Sequence, residues 1–423
     1  MAPGTSEPTA GQRAQIYVYF GLLILLVALA SPAGAIIDTG TTFILKNQLH
    51  AKKAEVSNYR LIIGLPFYFA FLMGFVRDRW NPLGLRDRGY LILFAPITAI
   101  IYLFLAFRPV SVVTYATGVL VAILCFRLVA VAYEGLMSLI GQEELMPGRL
   151  STLWNVVASV PGAIAAFGAG WMSENLRPRE IFLTLTALAL ALGAFGLWKP
   201  RAIFEHAYDR PQAAKGLLWA DVGRLLRTRA IYPAVAIFFL WNFAPAGSTA
   251  LQFFLTNNLH MSDSSFADFN GIFALCGIPT MLLYGYLCKR VALNKLLFWG
   301  TISAIPQWMP IMFGGSPNLV LWMAVPISLM GGFASVAYFD LMVRSCPAGL
   351  QGTLMALAFG FAAVAVRGSD RLGTWIFDQG GSHGFLWCAL ATTAVYALIL
   401  PVLLFVPKQL TVTRDGEEVA AAS

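Results

Sequence analysis

Arg127 and Glu134 stand seven residues apart inside one uninterrupted apolar stretch, residues 111–140. Seven residues is close to two helical turns, so both side chains leave one helix face. Charges at membrane depth are costly unless they are paired or used. An arginine fork holds a carboxylate or phosphate through two parallel hydrogen bonds, which suits an anionic solute. A carboxylate there can carry a proton, with desolvation and the nearby arginine acting on it in opposite senses. Asp38, in the first apolar run, has the same capacity. The other reading of Arg127 and Glu134 is an ion pair that only fixes helix packing. Asp340 falls near the end of a later run, and Arg367, Asp370 and Arg371 fall in the next. Arg367 and Arg371 share a face, and Asp370 can pair with Arg367. The alternative for that cluster is long side chains snorkelling to an interface.

Two interruptions add uncharged polar groups. Pro32-Ala33-Gly34 and Pro245-Ala246-Gly247 break corresponding apolar runs, a pattern that points to a binding site near the membrane midplane. Asp38 lies just past the first break. Asn242, Ser248, Thr249 and Gln252 flank the second and could hydrogen-bond a polar solute. Trp154 and Trp241 could stack on a flat ring, or simply pack. No GxxxxGK[ST] phosphate loop and no HExxH zinc motif occur, and all four histidines fall at expected helix ends or loops. No catalytic cluster, cofactor or metal is expected, so the chain does not read as an enzyme. The five cysteines are scattered without CxxC spacing, which indicates neither a disulfide framework nor a zinc site.

The elements that must hold these charges are membrane helices. Hydrophobic residues are 58% of the 423, charged residues only 12%, and mean hydropathy is +0.70. A soluble domain carries about 25% charged residues. A span needs about 20 apolar residues, and about twelve such runs occur: 16–45, 59–76, 90–107, 111–140, 153–172, 180–198, 231–256, 267–287, 293–313, 318–343, 350–372 and 382–406. Open sheet cannot sit in lipid. The first run is too long for a cleaved signal, and is read as the first helix. The most polar internal segment divides the chain. The expected organisation is a tail 1–15, a six-helix bundle 16–198, a linker 199–230, a second bundle 231–406 and a tail 407–423. A short amphipathic helix near Leu217–Leu226 is expected to lie on the membrane surface.

The halves repeat each other. Phe43–His50 reads FILKNQLH and, 210 residues on, Phe253–His260 reads FFLTNNLH. Gly74-Phe75-Val76-Arg77-Asp78-Arg79 has its match in Gly285-Tyr286-Leu287-Cys288-Lys289-Arg290. Six helices per unit leave both repeats facing the same way, so the repeats are parallel. With both termini in the cytoplasm, 19 of the 29 Lys and Arg residues fall inside and seven outside, the usual bias. The net charge of +8 is assigned to inner loops and anionic lipid, not to nucleic acid.

Two loops carry a family resemblance. Gly74–Tyr90 reads GFVRDRWNPLGLRDRGY, which resembles the G-x-x-x-D-R-x-G-R-R cytoplasmic loop of the major facilitator superfamily. Glu143-Glu144-Leu145-Met146-Pro147-Gly148-Arg149 looks like that superfamily's acidic-to-arginine loop after the fourth helix. The resemblance implies a latch formed by Gly74, Asp78, Arg79, Arg86, Glu144 and Arg149. Asp78 sits near a helix C-terminus, where the dipole disfavours it, and should seek a cation or a helix N-terminus elsewhere. The second repeat has Lys289 where Asp78 would fall. Within the superfamily, FILKNQL, Pro66 and Cys346-Pro347-Ala348-Gly349-Leu350-Gln351-Gly352-Thr353 resemble the folate–biopterin transporter family, with Asn47 and Gln351 standing where that family has acids. The resemblance also implies that the first, fourth, seventh and tenth helices line a central cavity.

The expectation is therefore an all-α integral membrane protein with the major facilitator fold, about twelve helices in two parallel six-helix repeats. It would act as a secondary carrier of a small organic solute, pterin- or folate-like and anionic as the first candidate, by proton-coupled alternating access. Asp38, Arg127, Glu134, Asn242, Gln252, Asp340, Arg367, Asp370 and Arg371 are its candidate solute or proton sites. The expected setting is a cell (inner) membrane, as a monomer among lipids, with protons as partner ion. The alternatives are a drug efflux carrier, or a non-transporting, pigment- or lipid-handling protein of the same fold.

Overall fold

The computed structural model of the chain describes residues 8–34, 53–108, 111–175, 177–204 and 218–417. Among them there is no strand, and each of the twelve apolar stretches carries helix. We number these helices in chain order. α1 is Ala10–Ala30. α2 is Lys53–Tyr68 with its continuation Ala70–Arg79. α3 is Asp87–Phe107, α4 Val112–Glu143, α5 Pro147–Asn175 and α6 Pro178–Phe195. α7 is Ile231–Asn242, and α8 is Asp263–Cys276 continued by Ile278–Leu287. α9 is Leu293–Ala304, α10 Pro317–Arg344, α11 Gln351–Gln379 and α12 Gly384–Ala397 with Ile399–Leu403. Among the described residues, nine helical stretches are long and apolar enough to cross a membrane by themselves. α2, α6 and α7 are more charged or shorter.

Local chemistry sets the helix ends. The Thr9 hydroxyl and the Gln12 side chain form a reciprocal box at the start of α1. Ser111, Ser262 and Ser316 accept first-turn backbone N–H groups of α4, α8 and α10. Pro66 precedes the break at Phe69 in α2, and the break at Gly277 in α8 falls just before Pro279. In the linker, Leu218–Arg227 is helical, close to the expected amphipathic stretch. Its last turn carries Arg224 and Arg227, and Arg224 donates to the Ala348 carbonyl.

One continuous apolar core runs from Ile16 in α1 to Val406 after α12. The first six helices meet the last six where α2 and α4 pack on α11, and where α5 packs on α8 and α10. Glycine permits the closest approaches. A Cβ on Gly74 would lie 2.5 Å from the Thr353 Cα of α11, and one on Gly285 of α8 would lie 2.9 Å from the Thr152 side chain of α5. These two glycines are the matched landmarks of the repeat. In each, the second helix of a repeat lies against the fifth helix of the other.

Candidate functional site

Arg127 sits at the middle of the 32-residue α4, about 22 Å from either end at 1.5 Å per residue. It forms one wall of a cavity of about 160 Å³. α1 contributes Ile24, Val27, Ala28 and the break Ser31–Ala33; α2 contributes Phe67, and α5 contributes Trp154 and Ala158. Arg127 Nη1 is 3.5 Å from Glu134 Oε1, and the guanidinium carbon is 5.2 Å from the Phe67 ring centroid. Both side chains are buried. Arg127 Nε and Nη2 and Glu134 Oε2 make no hydrogen bond. Two donors and one acceptor thus remain unsatisfied at the centre of the bundle, where a polar solute would relieve a penalty of about 1–3 kcal/mol per group.

A band of aromatic rings closes one side of the cavity. Trp154 of α5 stacks on Phe339 of α10 with centroids 4.5 Å apart and planes 8° apart, and Phe359 of α11 and Phe238 of α7 complete the cluster. The Trp154 indole N–H donates to the Tyr133 hydroxyl at 3.1 Å, which fixes the ring beside Glu134. One residue on, Asn155 Oδ1 accepts from the Ser335 hydroxyl of α10 at 2.6 Å.

Beyond that band lies the latch end. Asp78 accepts from Gly352 N–H at 3.2 Å, Thr353 N–H at 2.8 Å and the Thr353 hydroxyl at 2.6 Å, all in the first turn of α11. Arg77, which sequence reasoning left out of the latch, holds Asp78 at 2.8 Å and grips Asp87 with two bonds of 2.6 and 2.7 Å. Gly135 of α4 leaves room for that guanidinium. Arg79 and Arg86 border the same small polar crevice. Glu144 caps the end of α4. Gln142 donates to the Val343 and Cys346 carbonyls at 2.9 and 2.8 Å, and Gln351, standing where the folate–biopterin pattern has an acid, donates back to Gln142. Burial pushes the Cys346 thiol up to about 12. Arg149 pairs with a residue that sequence reasoning did not single out, Asp415 in the segment after α12.

The other candidates disperse. Asp38 lies outside the described residues, as does the first FILKNQLH copy. Asp340 does not face the cavity: its carboxylate is held at the latch end by Arg344, one turn on, and by the Tyr284 hydroxyl. Asp370 accepts the Thr249 N–H at 3.0 Å and so caps the short helix Ser248–Phe253, instead of pairing with Arg367. Arg367 and Arg371 are exposed, as is Gln252. The Asn242 amide donates to the Phe238 carbonyl of its own helix. Of the charged and amide candidates among the described residues, only Arg127 and Glu134 meet at the cavity, and Trp154, expected as a stacking ring, lines it with them. Phe67 and Tyr133 join them, Tyr133 through its bond to Trp154, and such contacts between helices are not registered by periodicity within one helix.

Comparison with known proteins agrees with this architecture. A family model described as Major Facilitator Superfamily matches residues 68–366. The "Folate-biopterin transporter" of Synechocystis sp. is 25% identical over 334 residues, covering 75% of this chain and 66% of that protein. "Folate transporter 2" of Plasmodium falciparum is 20% identical over 79% of this chain and 75% of its own length. "Probable folate-biopterin transporter 7" of Arabidopsis thaliana is 25% identical over 79% and 80%. Among solved structures, the transporter FucP superposes with a TM-score of 0.70 at 15% identity, covering 93% of this chain and 98% of that one. The human organic anion transporter MFSD10 superposes with a TM-score of 0.65 at 14% identity, covering 94% and 100%. With helix in every apolar stretch among the described residues, its paired repeats and a family match over most of its length, the chain belongs to the Major Facilitator Superfamily of membrane transporters.

Proposed function

We propose that this chain is a secondary carrier for a small organic anion with a flat ring, pterin- or folate-like first among candidates, driven by protons through alternating access. The observation that carries the reading is the unsatisfied Arg127 fork beside Glu134 in the wall of a cavity at mid-bundle. The fork offers two N–H donors to a carboxylate or to the amide edge of a pterin. Phe67 and Trp154 line the same cavity and supply aromatic rings to a flat solute. The relatives named as folate and folate–biopterin transporters favour the same class. Glu134 is the group that exchanges the proton: solute and proton then compete or cooperate for the one guanidinium.

The 16–198 and 231–406 bundles rock against each other in this reading. They meet at the latch end, which the excess of Lys and Arg assigns to the cytoplasm. The aromatic band and the Asp78 contacts then close the inner side, and solute enters from the other. Opening requires Trp154 to leave Phe339 and Asp78 to leave the start of α11.

Uptake of labelled pterins and folates into liposomes holding the purified protein, with an imposed pH gradient, tests the proposal. The expected result is accumulation that follows the gradient and falls at least tenfold in Arg127→Ala, since a charge-assisted hydrogen bond contributes about 1.5–3 kcal/mol. Equal uptake by Arg127→Ala and the parent protein, both correctly inserted, would remove Arg127 from the site.

A further inference from the structure

The two repeats differ at one latch position. Asp78 lies four residues after Gly74, and the residue four after Gly285 is Lys289. The second repeat therefore has no carboxylate to offer the N-terminus of α5, as Asp78 does for α11. That N-terminus is nevertheless occupied. Asp415, beyond α12, accepts the Gly148 N–H in the first turn of α5 at 2.8 Å, and its other oxygen accepts from Arg149 Nε. Its side chain is fully buried, in a hydrophilic segment where Arg414 and Glu417 on either side are about half exposed.

The segment is tied to the other half as well. Asp415 N–H donates to the Cys288 carbonyl at 3.0 Å, and Arg344 of α10 donates to the Thr413 carbonyl at 3.0 Å and to its hydroxyl at 3.2 Å. Gly148 itself is wedged against Asp340 and Cys288, where a Cβ would lie 2.9–3.1 Å from their atoms. Asp415 thus joins α5, through its carboxylate, to the end of α8, through its backbone N–H, while Thr413 bridges to α10. This is the arrangement that Asp78 makes between α2 and α11, rebuilt from outside the repeat.

We propose that residues 408–417 supply the latch carboxylate that the second repeat lacks, with Asp415 as the positioning residue that holds the two halves together at this end. The inference rests on the alternating-access reading. Its readout is conformational and needs no solute, so the two can fail separately. Replacing Asp415 removes the acceptor that Arg149 Nε and the Gly148 N–H share across the seam, which disfavours the closed state. The open state, in which α5 and α8 separate, gains population.

The test uses two thiols. Cys288 lies under the segment. Cys346 lies away from it, between α4 and α11, near Asp78 and Arg77. Each is left in turn as the only cysteine in the protein held in lipid nanodiscs, and its rate of reaction with a polar maleimide is measured. In Asp415→Ala both rates should rise, Cys346 by roughly tenfold or more, as a shifted two-state equilibrium requires. A chain ending at Pro407 should behave alike, and adding a peptide of residues 408–417 should restore protection of Cys346, which misfolding would not allow. If Cys288 alone is released, the segment is a cover and holds nothing together, and the proposal falls. It falls equally if neither rate changes in the variant and the shortened chain.

Discussion

At the scale of single residues, the question at Arg127 and Glu134 is whether the pair binds solute or only joins turns of α4. Removing one partner of a buried pair costs about 3–5 kcal/mol because the other charge stays behind, whereas removing both is often nearly neutral. Arg127→Ala should therefore lower the melting temperature, and Arg127→Ala with Glu134→Gln should recover most of the loss. If the pair serves solute, the double variant stays inactive although it is stable again. If the pair is only a strut, transport returns with stability. Thermal unfolding and liposome uptake on the same three proteins decide between them. The sequence made this pair legible because seven residues and an apolar setting place two charges on one helix face. It set Asp340 near the end of its run but gave it no partners, since those come from other turns and other helices. Arg344 and Tyr284 hold that carboxylate at the latch end. Nor could it reveal Asp415, which stands in a hydrophilic stretch with Arg414 and Glu417 and differs from them in being buried.

At the scale of elements, helices were readable from apolar runs, and the break from Pro245 to Gly247 from its proline and glycine, whereas the breaks in α2 and α8 were not. The partner of each helix was not, because packing between spans is written in small residues whose meaning depends on what faces them. Gly74 shows this. It reads as a generic site of close approach, and only the structure sets it 2.5 Å, in Cβ terms, from the backbone of α11 at Thr353. A side chain there must push α2 and α11 apart, and with them the Asp78 hydrogen bonds. Gly74→Val should shift the protein toward the state open at the latch end. Reactivity of the buried Cys346 thiol toward a polar maleimide is the measure, and an unchanged rate would mean that α11 can yield without opening. The second break tests a cap in the same way. Asp370 receives the Thr249 N–H at the start of the helix Ser248–Phe253. Asp370→Ala should lower stability by about 1 kcal/mol, as loss of an N-cap does, read as a fall in melting temperature. No change would leave that helix start held by other contacts.

At the scale of the whole molecule, the repeat gives the machine its symmetry and the differences between repeats give it direction. α2 meets α11 as α8 meets α5, and α4 meets α11 as α10 meets α5, so either set can rock on the other about one pseudo-two-fold axis. The chemistry does not obey that symmetry. Arg127 and Glu134 lie in α4 of the first set, whereas α10 holds its only acid, Asp340, at the latch end in a closed network. On the proposed function, solute and proton act on one half, and the other responds through contacts such as Trp154 on Phe339. This separates two processes that a carrier usually performs together. Exchange of internal for external solute requires both open states with solute bound. Net uphill uptake also requires the empty carrier to return with its proton released. Glu134→Gln fixes the site in a neutral form, so it can still pass solute across but cannot discharge a proton. Exchange should persist within about threefold of the parent rate, while accumulation driven by a pH gradient falls by roughly tenfold or more. Both are read in the same liposomes, one with labelled solute on one side and unlabelled on the other, the second with empty vesicles and an imposed gradient. If exchange is lost along with accumulation, Glu134 belongs to solute binding. If accumulation persists, the proton is carried elsewhere, and Asp38 becomes the group to examine.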